Sequence, residues 1–202
     1  MRFQGRCHAR GFQQRSVNGI SRNFGENMRR ITFVLGGARS GKSSYALKLA
    51  EGAVGPLYFI ATAEAFDEEM KLMISNHRQE RNQKFVTIES PLELSKAIKL
   101  VGSLQGSLAI IDCLTVWLGN LFHYEKEDKK KIQDAIDALL CSIEVVDCNL
   151  IFVANEVGLG LVPETELGRN FRDVAGRLNQ AIAGLADSVF LCVAGIPMAI
   201  KH

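Results

Sequence analysis

The residues with the clearest chemistry are glycines, a lysine and serines near the start of the chain. Residues 36–43 follow the pattern Gly-x4-Gly-Lys-Ser. Glycines in such a loop let backbone N–H groups turn inward around phosphate oxygens, while the lysine reaches the β- and γ-phosphates and the last serine binds Mg²⁺. We therefore predict that this loop binds a nucleoside triphosphate through Gly36, Gly37, Ala38, Arg39, Ser40, Gly41, Lys42 and Ser43.

The segments on either side of this loop agree with that prediction. Residues 31–35 are apolar and predict a strand, and residues 44–51 predict a helix whose positive dipole end faces the loop. The alternative is a purely structural glycine turn. That alternative leaves Lys42 buried without a partner, which is costly.

An aspartate about 70 residues further along completes this kind of site. Residues 107–112 read Ser-Leu-Ala-Ile-Ile-Asp and predict an apolar strand that ends in a carboxylate. Such an aspartate holds Mg²⁺ directly or through water in phosphate-loop enzymes. We predict that Asp112 is catalytic and that it holds the metal together with Ser43.

One of the four histidines, His77, is a candidate nucleophile. It shares the inward face of a predicted helix with Met70, Met73 and Ile74, at helical spacing. The other three histidines lie near a terminus or in a charged loop. A neutral imidazole can accept and pass on a phosphoryl or nucleotidyl group. From the residues alone, a histidine that simply packs on the core face is the other interpretation.

The pattern of elements indicates an α/β domain. Apolar runs alternate with helical periodicity, which predicts a P-loop NTPase-type, three-layer, RecA-like domain with a mainly parallel central sheet. Ser90 to Glu93 form a capping box, with Pro91 at the first position of a helix that continues to about residue 101. The predicted strands are 31–35, 56–61, 84–89, 107–112, 149–154, 188–194 and 198–201.

Charge and composition divide the chain into two parts. Five arginines and one glutamate give residues 1–28 a net charge of +4, so the rest of the 202-residue chain carries −2 of the overall +2. A folded part with this charge argues against a nucleic-acid partner. Residues 1–27 lack the apolar stretch of a secretory signal, and they resemble either a transit peptide or translated upstream sequence. We predict a disordered or non-native leader over 1–28 and one nucleotide-binding domain over 29–202.

The five cysteines show no zinc-binding or redox spacing. Buried, reduced thiols in a cytoplasmic protein are the simplest interpretation. No run of residues approaches the roughly 18 uninterrupted apolar residues of a membrane span. We therefore expect a cytoplasmic protein without a membrane span.

Several blocks together resemble one enzyme family, the bifunctional adenosylcobinamide kinase/adenosylcobinamide-phosphate guanylyltransferases of cobalamin biosynthesis. The resemblance runs from about residue 29 to residue 201. It is carried by the phosphate loop 36–43 and by four further blocks: Tyr-Phe-Ile-Ala-Thr at 58–62, Ile-Asp-Cys-Leu-Thr at 111–115, Asn-Glu-Val-Gly-Leu-Gly at 155–160 and Phe-Arg-Asp-Val-Ala-Gly-Arg-Leu-Asn-Gln at 171–180.

The resemblance implies two reactions with GTP, ATP and Mg²⁺ as cofactors. A nucleoside triphosphate phosphorylates adenosylcobinamide, and GMP from GTP then passes through a histidine, here His77, to adenosylcobinamide phosphate. It also implies a guanylyl-nucleotide pocket lined by Ala61, Thr62, Ala63, Arg78, Gln79, Glu80, Arg81 and Glu89. Arg78 or Arg81 would offset charge developing on phosphorus, although both also fit solvated positions at a helix end.

The corrinoid side of the site is less defined in the sequence. Glu156 and Arg172 are candidates, and ordinary capping explains Glu156 equally well. The family assembles as trimers, so we expect a homo-oligomer. Two other functions fit the phosphate loop: a simple P-loop kinase without nucleotidyl transfer, and a P-loop regulatory NTPase. The sequence leaves open whether ATP or GTP serves the kinase step and whether both activities are retained.

Overall fold

A seven-stranded sheet organises the protein. The structure, a computed structural model, describes residues 29–64, 84–104 and 106–202. Its elements in chain order are β1 Ile31–Gly36, α1 Lys42–Ala50, β2 Leu57–Ala61, β3 Phe85–Glu89, α2 Leu94–Gly102, β4 Leu108–Asp112, α3 Leu114–Tyr124, α4 Lys129–Val145, β5 Asn149–Asn155, α5 Glu166–Leu185, β6 Ser188–Val193 and β7 Ile196–Lys201.

The strand order is β3-β2-β4-β5-β1-β6-β7. All neighbouring strands are parallel except β6 and β7, which form an antiparallel hairpin at one edge. β5 therefore separates β1, which leads into the phosphate loop, from β4, which ends in Asp112. The predicted α/β fold with a mainly parallel sheet is confirmed, and this strand order is the RecA-like arrangement that we expected.

The central strand β1 is buried along its whole length, as its continuous apolar sequence predicts. Successive side chains of a strand point to opposite faces, so Phe33 and Val34, both fully buried, enter different cores. Phe33 packs with residues of α2, α3, α4 and α5. Val34 packs with Ala46 and Ala50 of α1. Described helices thus cover both faces of the sheet.

The predicted capping box at Ser90 is wrong. The helix begins at Leu94, and its N-cap Glu93 makes no side-chain capping hydrogen bond. Side chains from α3 instead bind the carbonyls that precede the helix: Trp117 Nε1 donates to Leu92 O at 2.9 Å, and Asn120 Nδ2 donates to Pro91 O at 3.1 Å. Tertiary contacts therefore hold this segment out of the helix.

Two later helices begin with ordinary local capping residues. Asp128 caps α4 by accepting from the N–H groups of Lys130 and Lys131, and Thr165 caps α5 by accepting from Gly168. Such caps satisfy backbone donors that a helix start leaves free. Among the described residues, no helix combines the length and apolarity needed to cross a membrane.

Candidate active site

The carboxyl ends of four parallel strands bring the predicted site residues to one edge of the sheet. Gly36 at the end of β1 is in register with Asn155 at the end of β5. Asp112 at the end of β4 is in register with Ala61, which is in turn in register with Glu89. Ligands of open α/β sheets bind at this edge. The phosphate loop, Asp112, Ala61 and Glu89 therefore belong to one crevice.

Two glycines of the phosphate loop allow contacts that no side chain could share. A Cβ atom on Gly36 would lie 2.3 Å from Ser40 Oγ and 2.7 Å from the carbonyl oxygen of Cys192. Gly41 has φ +86°, and a Cβ there would lie 3.1 Å from Gly195 Cα. The loop therefore packs closely against β6 and against the β6–β7 turn.

The β6–β7 turn also hydrogen-bonds to the loop. Gly195 N–H donates to Ser40 O at 3.0 Å. The two turn residues, Ala194 and Gly195, both have positive φ, at 50° and 82°. Such a pair forms a tight hairpin turn that matches the twist of the strands. The hairpin thus braces the phosphate loop from outside.

Lys42 is the first residue of α1 and is 9% exposed. Its Nζ donates to Gly37 O at 3.0 Å, so the ammonium group lies inside the loop. A plain turn would therefore not leave Lys42 without a partner, contrary to our expectation, because a loop carbonyl supplies one. Since an ammonium group carries three donors, it retains capacity for phosphate oxygens.

Ser40 gives an independent test of whether phosphate fits the loop. It is 7% exposed, and its Oγ has no hydrogen-bond partner. Buried polar atoms are nearly always hydrogen-bonded, and an unpaired one costs free energy. A phosphate oxygen would satisfy this hydroxyl, so the loop fits the group that its sequence predicts.

Thr62 has a structural task at the end of β2. Its side chain is fully buried, and its Oγ1 donates to Cys113 O at 2.9 Å and accepts from Cys113 N at 2.8 Å. Its own N–H donates to Asp112 O at 3.2 Å. These bonds fix the backbone on which Asp112 stands. They use the only donor of the Thr62 hydroxyl. The Thr62 side chain is also fully buried, whereas Ala61 and Ala63 are half-buried.

Cys113 lies beside Asp112, and its surroundings make it a poor nucleophile. Burial first, and the negative charge of Asp112 second, raise the pKa of its thiol to about 11. Its Sγ accepts from Val116 N–H at the start of α3. Cys113, Cys148 and Cys192 are buried free thiols, as the cysteine pattern predicted, whereas Cys141 is only partly buried.

Asn120 is a residue of this crevice that sequence reasoning missed. It is 4% exposed on α3, and besides Pro91 O its Nδ2 donates to Thr62 O at 2.8 Å. It therefore connects two segments of the chain. One follows β2 and contains Ala63, and the other follows Glu89 at the end of β3. An amide within an otherwise apolar helix was the available signal.

For the histidine segment and for one predicted corrinoid contact, the structure gives no direct support for the predicted role. His77, Arg78, Gln79, Glu80 and Arg81 lie outside the described residues. Glu156 Oε1 accepts from Gly158 N–H at 2.6 Å, so this carboxylate closes a local turn. Arg172 is half-buried on α5.

The donor set for a metal consists of Ser43 and Asp112, both half-buried at the crevice edge. Among the described residues, no group of three or more His, Cys, Asp or Glu side chains could hold a metal ion. Mg²⁺ at phosphate sites needs only one or two protein oxygens, because phosphates and water complete its shell. The residues present therefore fit a Mg²⁺–nucleotide complex and do not form a cage for the metal alone.

Comparisons with known proteins give the family. The sequence profile described as "Cobinamide kinase / cobinamide phosphate guanyltransferase" matches residues 32–200. A Pseudomonas aeruginosa protein named bifunctional adenosylcobalamin biosynthesis protein CobP is 41% identical over 168 residues, 83% of this chain and 95% of that protein. The Escherichia coli and Salmonella typhimurium proteins named CobU are each 37% identical over 182 residues, 85% of this chain and 99% of theirs.

A solved structure of an ATPase from a type III secretion system is similar in fold alone. Its TM-score is 0.52 at 11% identity, and the match covers 81% of this chain and 52% of that one. The profile and the relatives, by contrast, extend over nearly the whole domain. The chain belongs to the cobinamide kinase / cobinamide phosphate guanyltransferase family.

Proposed function

We propose that this protein phosphorylates adenosylcobinamide and then transfers GMP from GTP, through His77, to adenosylcobinamide phosphate, giving adenosylcobinamide-GDP. The observation that carries the proposal is the similarity to CobP and CobU over 95–99% of those proteins' lengths. The geometry of the phosphate loop adds support, because Lys42 and Ser40 offer buried hydrogen-bonding groups to phosphate.

In the kinase step, the loop holds the triphosphate of ATP or GTP. The hydroxyl oxygen of the corrinoid side chain bonds to the γ-phosphorus, and the bond from that phosphorus to the β-phosphate oxygen breaks. Lys42 and the loop N–H groups stabilise the charge on the phosphates. Ser43 and Asp112 would hold Mg²⁺, which would supply further charge neutralisation.

In the guanylyl step, a nitrogen of His77 uses its lone pair to attack the α-phosphorus of GTP, and pyrophosphate leaves. An oxygen of adenosylcobinamide phosphate then displaces the histidine, which restores the enzyme. Ala61, Thr62, Ala63 and Glu89 line the guanylyl pocket in this proposal. Arg78 or Arg81 offsets the charge on phosphorus, and Gln79 and Glu80 complete the segment after His77.

We also propose an oligomeric state and a cellular location for this protein. By family resemblance the chain forms a homo-oligomer, with a trimer as the expected state. The buried free thiols of the described residues agree with a reducing compartment, for which we propose the cytoplasm.

The decisive experiment measures label transferred to the protein from GTP labelled at the α-phosphate, with Mg²⁺ and without any corrinoid. We expect label that survives denaturation and alkali but is lost in acid, as a phosphoramidate would be. His77→Ala should abolish the label. His123→Ala, which removes an exposed histidine on α3, is the matched control and should retain it.

Two outcomes would overturn parts of this proposal. An unlabelled wild-type protein that nevertheless binds GTP excludes the histidine intermediate. If that protein still shows nucleotide turnover that rises with cobinamide, it is a simple kinase. If turnover ignores cobinamide, the corrinoid substrate is wrong as well.

A further inference from the structure

A side-chain amide in the crevice lacks the hydrogen-bond partner that its burial demands. In the described part of the chain, two buried side-chain oxygen or nitrogen atoms have no partner, Ser40 Oγ and Asn155 Oδ1. Both belong to neighbours of Gly36: Ser40 Oγ lies over its Cα, and Asn155 is in register with it. Two unsatisfied groups at one place indicate a polar ligand that binds between them.

Hydrogen bonds hold the backbone of Asn155, although its side-chain Oδ1 has no hydrogen-bond partner. Thr115 Oγ1 accepts from Asn155 N–H at 2.7 Å and donates to Asn155 O at 3.4 Å. The next residue, Glu156, donates its N–H to Gly36 O at 3.0 Å. The fold therefore fixes the backbone of Asn155, while the Oδ1 atom of its side chain has no hydrogen-bond partner.

The position of Asn155 is between the two halves of the phosphate site. β5 lies between β1 and β4 in the sheet, and Asp112 is in register with Val153, two residues before Asn155. Asn155 is thus the last residue of β5 and lies two residues beyond the level of Asp112, with β1 and its phosphate loop on one side and the end of β4 on the other. A terminal phosphoryl group held by Lys42 and Mg²⁺ occupies this kind of position.

We propose that the amide of Asn155 contacts the γ-phosphoryl group and the attacking hydroxyl in the kinase step. An amide offers two donors and an acceptor, so Nδ2 can donate to a γ-phosphate oxygen while Oδ1 accepts from the hydroxyl. The hydroxyl oxygen bonds to phosphorus, the bond to the β-phosphate oxygen breaks, and the hydroxyl proton passes to the transferred phosphoryl group and then to solvent. Asn155 takes no proton and acts by alignment.

This inference rests on the proposed function, and it separates the two reactions. The guanylyl step breaks the bond between the α- and β-phosphates and uses no hydroxyl nucleophile. A contact with the γ-phosphoryl group and the hydroxyl therefore matters most to the kinase step. Asn155→Ala should lower kcat for adenosylcobinamide phosphorylation about 100-fold, the loss seen when one donor to a reacting group is removed.

Two further readouts distinguish a substrate contact from a structural role. The rate of GMP attachment from GTP alone should fall less than about fivefold in Asn155→Ala, since that step leaves the γ-phosphoryl bond intact. The preference for GTP over GDP, measured by equilibrium binding, should weaken about tenfold, the effect of one charge-assisted hydrogen bond.

Asn149→Ala is the matched control, because it makes the same change at the other end of β5. Asn149 Oδ1 accepts from Arg30 N–H at 2.9 Å, so this variant should be less stable but keep wild-type kinetics. The inference is overturned if Asn155→Ala retains kcat, or if both reactions fall together with thermal stability. An inactive wild type with cobinamide would refute the proposed function instead, and the GTP/GDP ratio would still decide whether Asn155 contacts the γ-phosphate.

Discussion

Asp112 occupies the last position of β4, and its backbone is held by the residue that follows the neighbouring strand β2. Thr62 N–H donates to the Asp112 carbonyl, and the Thr62 hydroxyl bonds both the N–H and the carbonyl of Cys113. An oxygen that binds a metal must be held in a fixed orientation as well as lie close to the metal. The bonds around Thr62 therefore fix the backbone from which the proposed metal-binding carboxylate of Asp112 projects.

Replacing Asp112 by Asn tests this role directly. The substitution keeps the size of the side chain and removes its charge, so Mg²⁺ should bind less well to the nucleotide complex. We expect the Mg²⁺ concentration for half-maximal GTP turnover to rise about tenfold or more. Asp134→Asn, which removes the same charge from an exposed position on α4, should leave it unchanged. Unchanged Mg²⁺ dependence in Asp112→Asn would exclude Asp112 from the metal site.

Residue types and their spacing predicted the site residues that short sequence motifs contain. The Gly-x4-Gly-Lys-Ser loop predicts its own function, and the aspartate at a strand end follows from it. Asn155 and Asn120 were not predicted as site residues, because the groups that surround their side chains come from residues that are distant in sequence. The unsatisfied amide of Asn155 depends on strand register, and the bonds of Asn120 go to carbonyls 58 and 29 residues away.

The phosphate loop is shaped by the elements around it as well as by its own glycines. The β6–β7 turn donates to Ser40 O, and the Cys192 carbonyl lies where a Cβ on Gly36 would need to be. The sequence predicted both strands of this hairpin but not their contact with the loop. Nothing in a hairpin sequence indicates which other loop it will touch, since that depends on sheet order.

Gly36→Ala and Gly37→Ala form a matched pair that tests this packing. An added Cβ at Gly36 would overlap backbone of β6, whereas at Gly37 it would meet nothing within 4 Å. Overpacking of this kind costs about 1–3 kcal/mol. For a protein of this size we expect the Tm of Gly36→Ala to fall by about 5 °C. Gly37→Ala should stay within about 1 °C of wild type. Equal Tm values for the two variants would mean that the loop moves away freely and is not braced.

The sheet order places the phosphate loop and Asp112 on either side of β5. Alternating strands and helices predicted the parallel sheet, because buried parallel strands read as continuous apolar runs. That pattern carries no information about which strands are adjacent. The insertion of β5 between β1 and β4 is visible only in the structure, and it places the end of β5, with Asn155, between the ends of β1 and β4.

The first described residues bind firmly to the rest of the domain. Arg29 Nη1 donates to Glu144 O and to Val146 O, each at 3.0 Å, where α4 ends. Arg30 N–H donates to Asn149 Oδ1 and Ile31 N–H to Asp187 Oδ2. Arginine at a helix C-terminus satisfies carbonyls that the helix leaves free. The folded domain therefore includes Arg29.

A chain that starts at Met28 tests the prediction that residues 1–27 contribute nothing to the fold. We expect its Tm and its affinity for GTP to equal those of the full chain. Within that shortened chain, Arg29→Ala should cost about 1–2 kcal/mol through its two lost hydrogen bonds, a decrease of several degrees in Tm. Arg30→Ala is the control, since the exposed Arg30 binds through its backbone N–H, which the substitution retains. A shortened chain that is less stable than the full one would place residues 1–27 within the folded domain and contradict the predicted boundary.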